Sequence, residues 1–188
     1  MCLYEPKKLN QEEEIVCYKV LYKSSAGGVY DKDPDNLDIM YSPYYGSRYH
    51  MNRTKYTKCE GEVVNGHYIV NTEEKIDVSF LGDRPCTSTT SFKSFPCKVI
   101  HGALHSFKNL DDALYMADLL LANYDNTFVV KCVIPKTSKY AYEGFSEIGT
   151  KGKRRSPSYA SQKLKPIEIV KHFNVWDELE YEMKGFNV

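Results

Sequence analysis

The sequence predicts one α+β domain, with a mixed or antiparallel sheet of about six strands and one main helix packed on it. Two runs, Ile15–Tyr22 and Thr127–Ile134, consist almost entirely of β-branched, aromatic and other apolar residues, as buried strands do. A third run, residues 110–121, repeats apolar residues at helical spacing. Because regular helices do not separate the remaining strand-like runs, a doubly wound parallel sheet is disfavoured.

Size and charge limit the classes of function. The chain has 188 residues, which suits a single domain over residues 15–188 preceded by an extended or poorly ordered polar arm over residues 1–14. Lys plus Arg equals Asp plus Glu at 25 each, so the whole molecule is not expected to be drawn to nucleic acid or to an anionic membrane. The first residues lack the apolar core of a signal peptide, and no run is long enough to span a bilayer. We therefore expect a cytoplasmic protein.

The first half of the domain contains one strand, a tyrosine-rich segment and a turn signal. After Ile15–Tyr22, the segment Met40–Lys58 mixes five tyrosines with basic residues and keeps no regular period. Glu62–Val70 then carries Asn65 and Gly66 between β-forming residues. Asn-Gly is the preferred pair for a two-residue type I′ turn, so this stretch predicts a tight hairpin.

The second half contains the main helix. Lys98–Phe107 has strand character, and Asn109 is placed to cap a helix whose first turn carries two aspartates, which suit the positive end of the helix dipole. The apolar stripe of this helix consists of Leu110, Ala113, Leu114, Ala117, Leu120 and Leu121. Thr127–Ile134 follows as a central strand covered on both faces and ended by Pro135.

The last third alternates short strands and loops. Lys139–Gly144 predicts a short strand, and Ser146–Pro157 predicts a mobile loop with a basic cluster. In Lys163–Val170, Pro166 predicts an edge strand or a strand that starts only at Ile167.

The six cysteines have no spacing typical of a metal site. No pair is separated by two residues, and no histidine lies at a helical offset from a pair. We expect six reduced thiols, no bound metal and no cofactor.

Five pieces of sequence resemble the ADP-ribosyltransferase-like architecture, and more closely small uncharacterised bacterial and phage domains of that layout, over residues 15 to 172. They are Tyr18-Lys19, the G-x-x-H-S pattern of Gly102, His105 and Ser106, the helical Asp112, Ala113 and Ala117, the strand Val129–Pro135 and the closing segment Tyr159–Ile167. The resemblance implies a cleft between strand ends. Its expected ligand-binding residues are Lys19, His105, Ser106 and Ser161.

The chain departs from that family at the positions that carry the chemistry. Tyr18-Lys19 stands where an Arg or His usually grips the dinucleotide, and His105-Ser106 stands where Tyr or Ser-Thr-Ser is usual. Ser161-Gln162 replaces the catalytic Glu, whose carboxylate would stabilise the developing positive charge. The resemblance therefore implies the fold more than the reaction, and we assign no catalytic residue.

A second candidate surface alternates aromatic and basic side chains. Tyrosine and arginine anchor protein interfaces, and the same mixture can stack bases and pair phosphates, although half-buried strand tyrosines would give the same composition. The partner-surface candidates are Tyr44, Tyr45, Arg48, Tyr49, Arg53 and Tyr56.

Three functions remain open. We favour a non-catalytic binding or interaction protein on this scaffold, such as a phage or mobile-element product that modulates a host protein. Its partner would be a protein, an anionic small molecule or a nucleotide. The alternatives are a divergent ADP-ribosyltransferase-like enzyme acting on a nicotinamide dinucleotide, and an RNA- or DNA-binding module, which the neutral charge disfavours. No membrane partner is expected.

Overall fold

The computed structural model describes residues 3–23, 38–43, 47–72, 77–78, 86–87, 91–100, 102–121, 124, 126–149 and 154–174. These residues form fourteen β-strands and one α-helix. In chain order they are β1 (Leu3–Lys8), β2 (Ile15–Lys23), β3 (Ile39–Tyr41), β4 (Arg48–His50), β5 (Lys55–Tyr56), β6 (Val63–Thr72), β7 (Asp77–Val78), β8 (Cys86–Thr87), β9 (Ser91–Ile100), β10 (Leu104–Phe107), α1 (Leu110–Leu121), β11 (Asn126–Ile134), β12 (Ala141–Ile148), β13 (Arg154–Ser161) and β14 (Lys163–Asn174).

The predicted α+β class with six strands is wrong, because the fold is mostly β. Twelve strands form one antiparallel sheet, with ten of them in the order β5-β14-β11-β2-β10-β13-β12-β1-β9-β6, while β3 and β4 extend from β2. β7 and β8 pair separately. The difference has a physical reason: β12 and β13 contain serine, glycine and proline and lack the apolar runs that mark a strand in sequence, yet they pair along their whole length.

The two strongest strand predictions are confirmed. β2 and β11 pair from Ile15 with Ile134 to Lys23 with Asn126, at the centre of the sheet. Their even and odd positions point to opposite faces, and both faces are covered. On one face Val20 and Val129 pack against α1.

The second core lies on the other face of β2 and β11. Leu21 and Phe128 contribute to it from these strands, and Leu104 and Tyr159 contribute from β10 and β13. These four strands are consecutive neighbours in the sheet, so this face carries one continuous core. Lys19 lies on the same odd-numbered face of β2 as Leu21 and is itself buried.

The helix follows the sequence prediction closely. α1 begins directly after Asn109, and its fully buried Ala113 and Ala117 let it approach the sheet closely. Leu114 and Leu120 flank them as partly buried residues in the same cluster. The predicted packing of this stripe on the sheet is therefore confirmed.

Replacing Leu114 by Ala should cost about 1–2 kcal/mol of unfolding free energy, which is below the roughly 2–5 kcal/mol of a fully buried leucine. The reason is that Leu114 is only partly buried against the core. Urea denaturation would measure the loss. Asp118→Ala is the matched control, because Asp118 is exposed on the same helix and should change stability little. An equal effect of both variants would contradict this packing.

The hairpin predicted at Asn65-Gly66 is wrong. Both residues lie inside β6, which runs unbroken and pairs with β9, so that Gly66 is opposite Cys97. A Cβ atom at Gly66 would lie 2.7 Å from Cγ2 of Val99, so the glycine admits a neighbouring side chain rather than forming a turn. Long-range pairing with β9 has overridden the local turn preference.

Two further expectations concern the last strands of the chain. The basic stretch predicted as a mobile loop is strand at both ends, since β12 reaches Ile148 and β13 begins at Arg154; residues 150–153 lie outside the described residues. β14 begins at Lys163, so Pro166 does not start the strand. The predicted edge position is confirmed at Pro166 itself, because β5 pairs only with Lys163 and Leu164, and Pro166 has a strand partner in β11 alone among the described residues. It pairs with Cys132 at a register shift, where a missing N–H is tolerated.

Candidate anion-binding site

The candidate site is built on the excursion of β3, β4 and β5, which the sheet holds at both ends. β3 pairs with β2 through Tyr41 and Tyr22, and β4 pairs with β3 along its whole length. Asn52 turns the chain with a φ of 58°, and its N–H donates to the carbonyl of Pro166 at 2.9 Å. β5 then pairs with the start of β14. These bonds fix a short basic segment against the sheet.

A small cavity opens on this segment. Its volume is about 160 Å³. The lining residues are Arg48, His50, Arg53, Thr54, Lys55 and Tyr56. Three of the six, two arginines and one lysine, are basic and none is acidic, so the cavity presents positive charge and hydrogen-bond donors.

The arginines of this cavity lack the neutralising partners that other basic residues have. Lys108 pairs with Glu143 at 2.6 Å, and Arg154 pairs with Asp112. Within the described part of the chain, neither Arg48 nor Arg53 has a carboxylate partner. The Arg48 guanidinium instead lies 5.9 Å from the centre of the Tyr41 ring. An external anion would therefore meet guanidinium groups that no carboxylate of the described residues neutralises.

Tyr49 lies beneath the cavity and connects it to the interior of the sheet. Its side chain is 2% exposed, whereas Arg48 beside it in β4 is exposed, because neighbouring strand residues point to opposite faces. Two ammonium groups lie over its ring, with Lys55 Nζ at 4.7 Å and Lys19 Nζ at 5.1 Å from the centre. Lys55 Nζ also donates to the carbonyl of Arg48 at 2.7 Å.

The positions of Lys55 and Lys19 over the same ring affect the pKa values of both side chains. Burial lowers the pKa of Lys55, and the nearby charge of Lys19 lowers it further. Burial also lowers the pKa of Lys19 to about 8, and the neighbouring thiols of Cys132 and Cys17 offset part of that effect. A bound anion would favour the charged form of both lysines.

Lys19 is buried and has no acidic partner in the part of the chain that the structure describes. It is 7% exposed, and its Nζ donates to the backbone carbonyl of His105 at 2.7 Å. In the described residues it forms no ion pair. The thiols of Cys17 and Cys132 lie on directly paired positions nearby, and burial raises the pKa of Cys17 to about 12 and the pKa of Cys132 as well. Both thiols therefore stay protonated at neutral pH.

The four residues expected to bind a ligand through the resemblance all lie inside the sheet. His105 is 7% exposed and Ser106 1% exposed on β10, and Ser106 lies near enough to Cys17 to lower the pKa of its thiol. Ser161 is fully buried, and its Oγ donates to the carbonyl of Lys163 at 2.8 Å. The structure brings Lys19 and His105 together, but through the backbone of His105.

The six partner-surface candidates separate into three groups. Arg48, Arg53 and Tyr56 line the cavity, and Tyr49 is buried beneath it. Tyr44 and Tyr45 lie outside the described residues. The cavity also includes His50, Thr54 and Lys55, which the sequence analysis did not select. Their presence in the same basic segment was the available signal.

A metal ion would need a cluster of histidine, cysteine or acidic side chains. No group of three such side chains that could hold a metal occurs among the described residues. In the same part of the chain, no helix has the length and apolar character required to cross a membrane.

Comparison with protein-family models, with curated proteins and with solved structures gave no match for this chain.

Proposed function

We propose that this protein is a non-catalytic binding protein whose cavity on β4 and β5 takes up a small anionic group. The observation that carries the proposal is the convergence of Arg48, Arg53 and Lys55 on one cavity without an acidic lining residue. The net charge of the chain is zero, so this excess of positive charge is local. A local excess of this kind attracts anions without making the whole protein a polyanion binder.

The chemistry of the lining favours phosphate or carboxylate. An arginine presents a planar fork of N–H donors that matches two oxygens of such a group, and the hydroxyl of Thr54 and the ring of His50 add further hydrogen-bonding capacity. Lys19, whose Nζ lies 5.1 Å from the centre of the Tyr49 ring, adds a buried positive charge. Its field is weakly screened, because it lies in the interior of the protein.

The burial of the four residues that the family resemblance implied as ligand-binding residues also supports a binding role for the separate cavity. Lys19, His105, Ser106 and Ser161 are each less than one-tenth exposed. Lys19 and Ser161 donate to backbone carbonyls, which is a structural use of their polar atoms. These four residues therefore support the sheet interior in this proposal, and substrate turnover is not part of it.

The test is direct binding of inorganic phosphate, pyrophosphate and a nicotinamide dinucleotide to the whole chain, measured by isothermal titration calorimetry. We expect pyrophosphate to bind and its affinity to fall as ionic strength rises. Arg53→Ala should weaken binding by about tenfold, because it removes charge-assisted hydrogen bonds. Arg53→Lys should restore only part of the affinity, because the ammonium lacks the bidentate fork.

The matched control is Lys98→Ala, which removes an exposed positive charge from β9, far from β5 in the strand order. It should leave the affinity unchanged. Equal losses in Arg53→Ala and Lys98→Ala would show that binding is non-specific, and the proposal would be wrong. Turnover of the dinucleotide would contradict the non-catalytic assignment.

A further inference from the structure

Tyr56 is the most exposed large apolar side chain at the rim of the cavity. It is 65% exposed, although it lies in a paired strand and lines the cavity. Other tyrosine rings of the sheet are engaged: Tyr22 lies 4.2 Å from Tyr124, and Tyr140 lies 5.8 Å from Tyr142, between ring centres. Within the described part of the chain, the ring and hydroxyl of Tyr56 have no such partner.

The size of the cavity determines which part of a ligand it can enclose. Sites that enclose a drug-sized molecule measure about 300–1,000 Å³. This cavity, at about 160 Å³, is smaller, so it holds one compact anionic group. The rest of a larger ligand must extend across the rim, where the face of Tyr56 is available.

The positive charge of Lys55 and the exposed ring of Tyr56 are held close together by β5. Lys55 and Tyr56 are neighbours in β5, and β5 is held by pairing with Lys163 and Leu164 of β14. Both residues line the cavity, but Lys55 is partly buried over Tyr49 while Tyr56 is exposed, so the positive charge lies deeper and the aromatic face lies nearer to solvent. A ligand bridging them needs an anionic end and a planar ring.

We infer that the ligand of this site is a nucleoside phosphate, with its phosphate in the cavity and its base stacked on Tyr56. The inference rests on the proposed anion binding and adds the base. Stacking on an aromatic ring tolerates any base, because every base has a π-face. The ligand is either a free nucleotide or one nucleotide of a single-stranded chain, which share this chemistry.

The experiment compares adenosine diphosphate with inorganic pyrophosphate on wild type, Tyr56→Leu and Tyr56→Phe, by calorimetry. On wild type, adenosine diphosphate should bind about 5- to 100-fold more tightly than pyrophosphate. Tyr56→Leu should remove this advantage and leave pyrophosphate affinity unchanged. Tyr56→Phe should keep it, because phenylalanine offers the same ring face. A thermal melt of each variant checks that the fold is intact.

The outcomes separate this inference from the proposal beneath it. If pyrophosphate binds but the nucleoside adds nothing, or if its advantage survives in Tyr56→Leu, the base does not stack here and the inference is overturned while anion binding stands. If neither ligand binds, both fail. A short oligo(dA) forms the last arm: Tyr56-dependent binding of either adenosine ligand supports the inference, and the tighter one identifies the source of the nucleotide.

Discussion

Replacing Lys19 by Met should raise the unfolding free energy at pH 7 by about 2 kcal/mol, even though it removes a hydrogen bond. A pKa lowered from 10.5 to about 8 means that folding penalises the charged ammonium by about 3 kcal/mol. Methionine has a similar length and no charge to desolvate. The lost bond to the carbonyl of His105 returns about 1 kcal/mol of that gain.

The pH dependence of this difference identifies Lys19 as its cause. Between about pH 8 and 10.5 the unfolded chain holds the Lys19 proton more firmly than the folded chain does, so this lysine makes wild-type stability rise with pH. Cys17 and Cys132 act in the opposite direction above about pH 9, since their thiols lose protons more easily when unfolded. Subtracting the wild-type curve from the Lys19→Met curve cancels most of the thiol contribution.

Urea denaturation of both proteins from pH 7 to pH 10.5 would measure this. The advantage of Lys19→Met should shrink steadily and vanish or reverse by the upper limit, where Lys19 is neutral in wild type as well. Lys98→Met is the control for an exposed lysine and should show no such trend. A Lys19→Met variant that is less stable than wild type at pH 7 would contradict the penalty.

The buried charge of Lys19 lowers the stability of the fold, so its presence calls for a functional reason. Lys19 and Lys55 lie over the same Tyr49 ring, and Lys55 lines the cavity. Two like charges held near one another are unfavourable in the empty protein, and an anion above them relieves the repulsion. In the proposed function, the buried charge therefore strengthens anion binding at the expense of fold stability, and Lys19→Met should also weaken pyrophosphate binding.

Strong local patterns explain which parts of the fold could be predicted. β2 and β11 are continuous β-branched and apolar runs, and α1 has a capping residue and an apolar stripe at helical spacing. Each of these elements can therefore be predicted from its own stretch of sequence. β13 reads RRSPSYAS, and only its pairing with β10 and β12 makes it a strand. Pairing partners distant in sequence are not visible in a local window, and the α+β prediction failed for that reason.

The candidate site could likewise be predicted only in part, because residue types are visible in the sequence but long-range contacts are not. The mixture of arginine and tyrosine over residues 44–56 indicated the segment that lines the cavity, because these residue types are recognisable without a structure. Which of them are exposed depends on the pairing of β4 with β3, which turns Tyr49 inward and Arg48 outward. The approach of Lys19 to Tyr49 joins residues far apart in sequence, and no spacing rule in the chain indicates it.

The second large effect concerns the buried carboxylate that joins α1 to β13. Asp112 is 1% exposed, in the first turn of the helix. It forms an ion pair with Arg154, accepts a hydrogen bond from Ser156 Oγ at 2.9 Å, and accepts another from Asn109 Nδ2 at 3.3 Å. Ser156 is itself fully buried, and the other acceptor of its hydroxyl is the Pro157 carbonyl at the longer distance of 3.4 Å. The network also places negative charge at the positive end of the helix dipole.

Asp112→Ala should therefore lower the unfolding free energy by about 3 kcal/mol, since it leaves a buried hydroxyl without its carboxylate partner and removes the ion pair together with the favourable dipole interaction. Arg154→Ala is the matched control and should cost about 1 kcal/mol, because Arg154 is half exposed and water replaces much of what it loses. Urea denaturation gives both values, and the double variant should cost less than the sum of the two, because they share one ion pair. Strict additivity would contradict the coupling expected from the shared ion pair. An Arg154→Ala loss as large as that of Asp112→Ala would show that the hydroxyl and helix-end contacts of Asp112 contribute little and that the ion pair dominates the connection of α1 to β13.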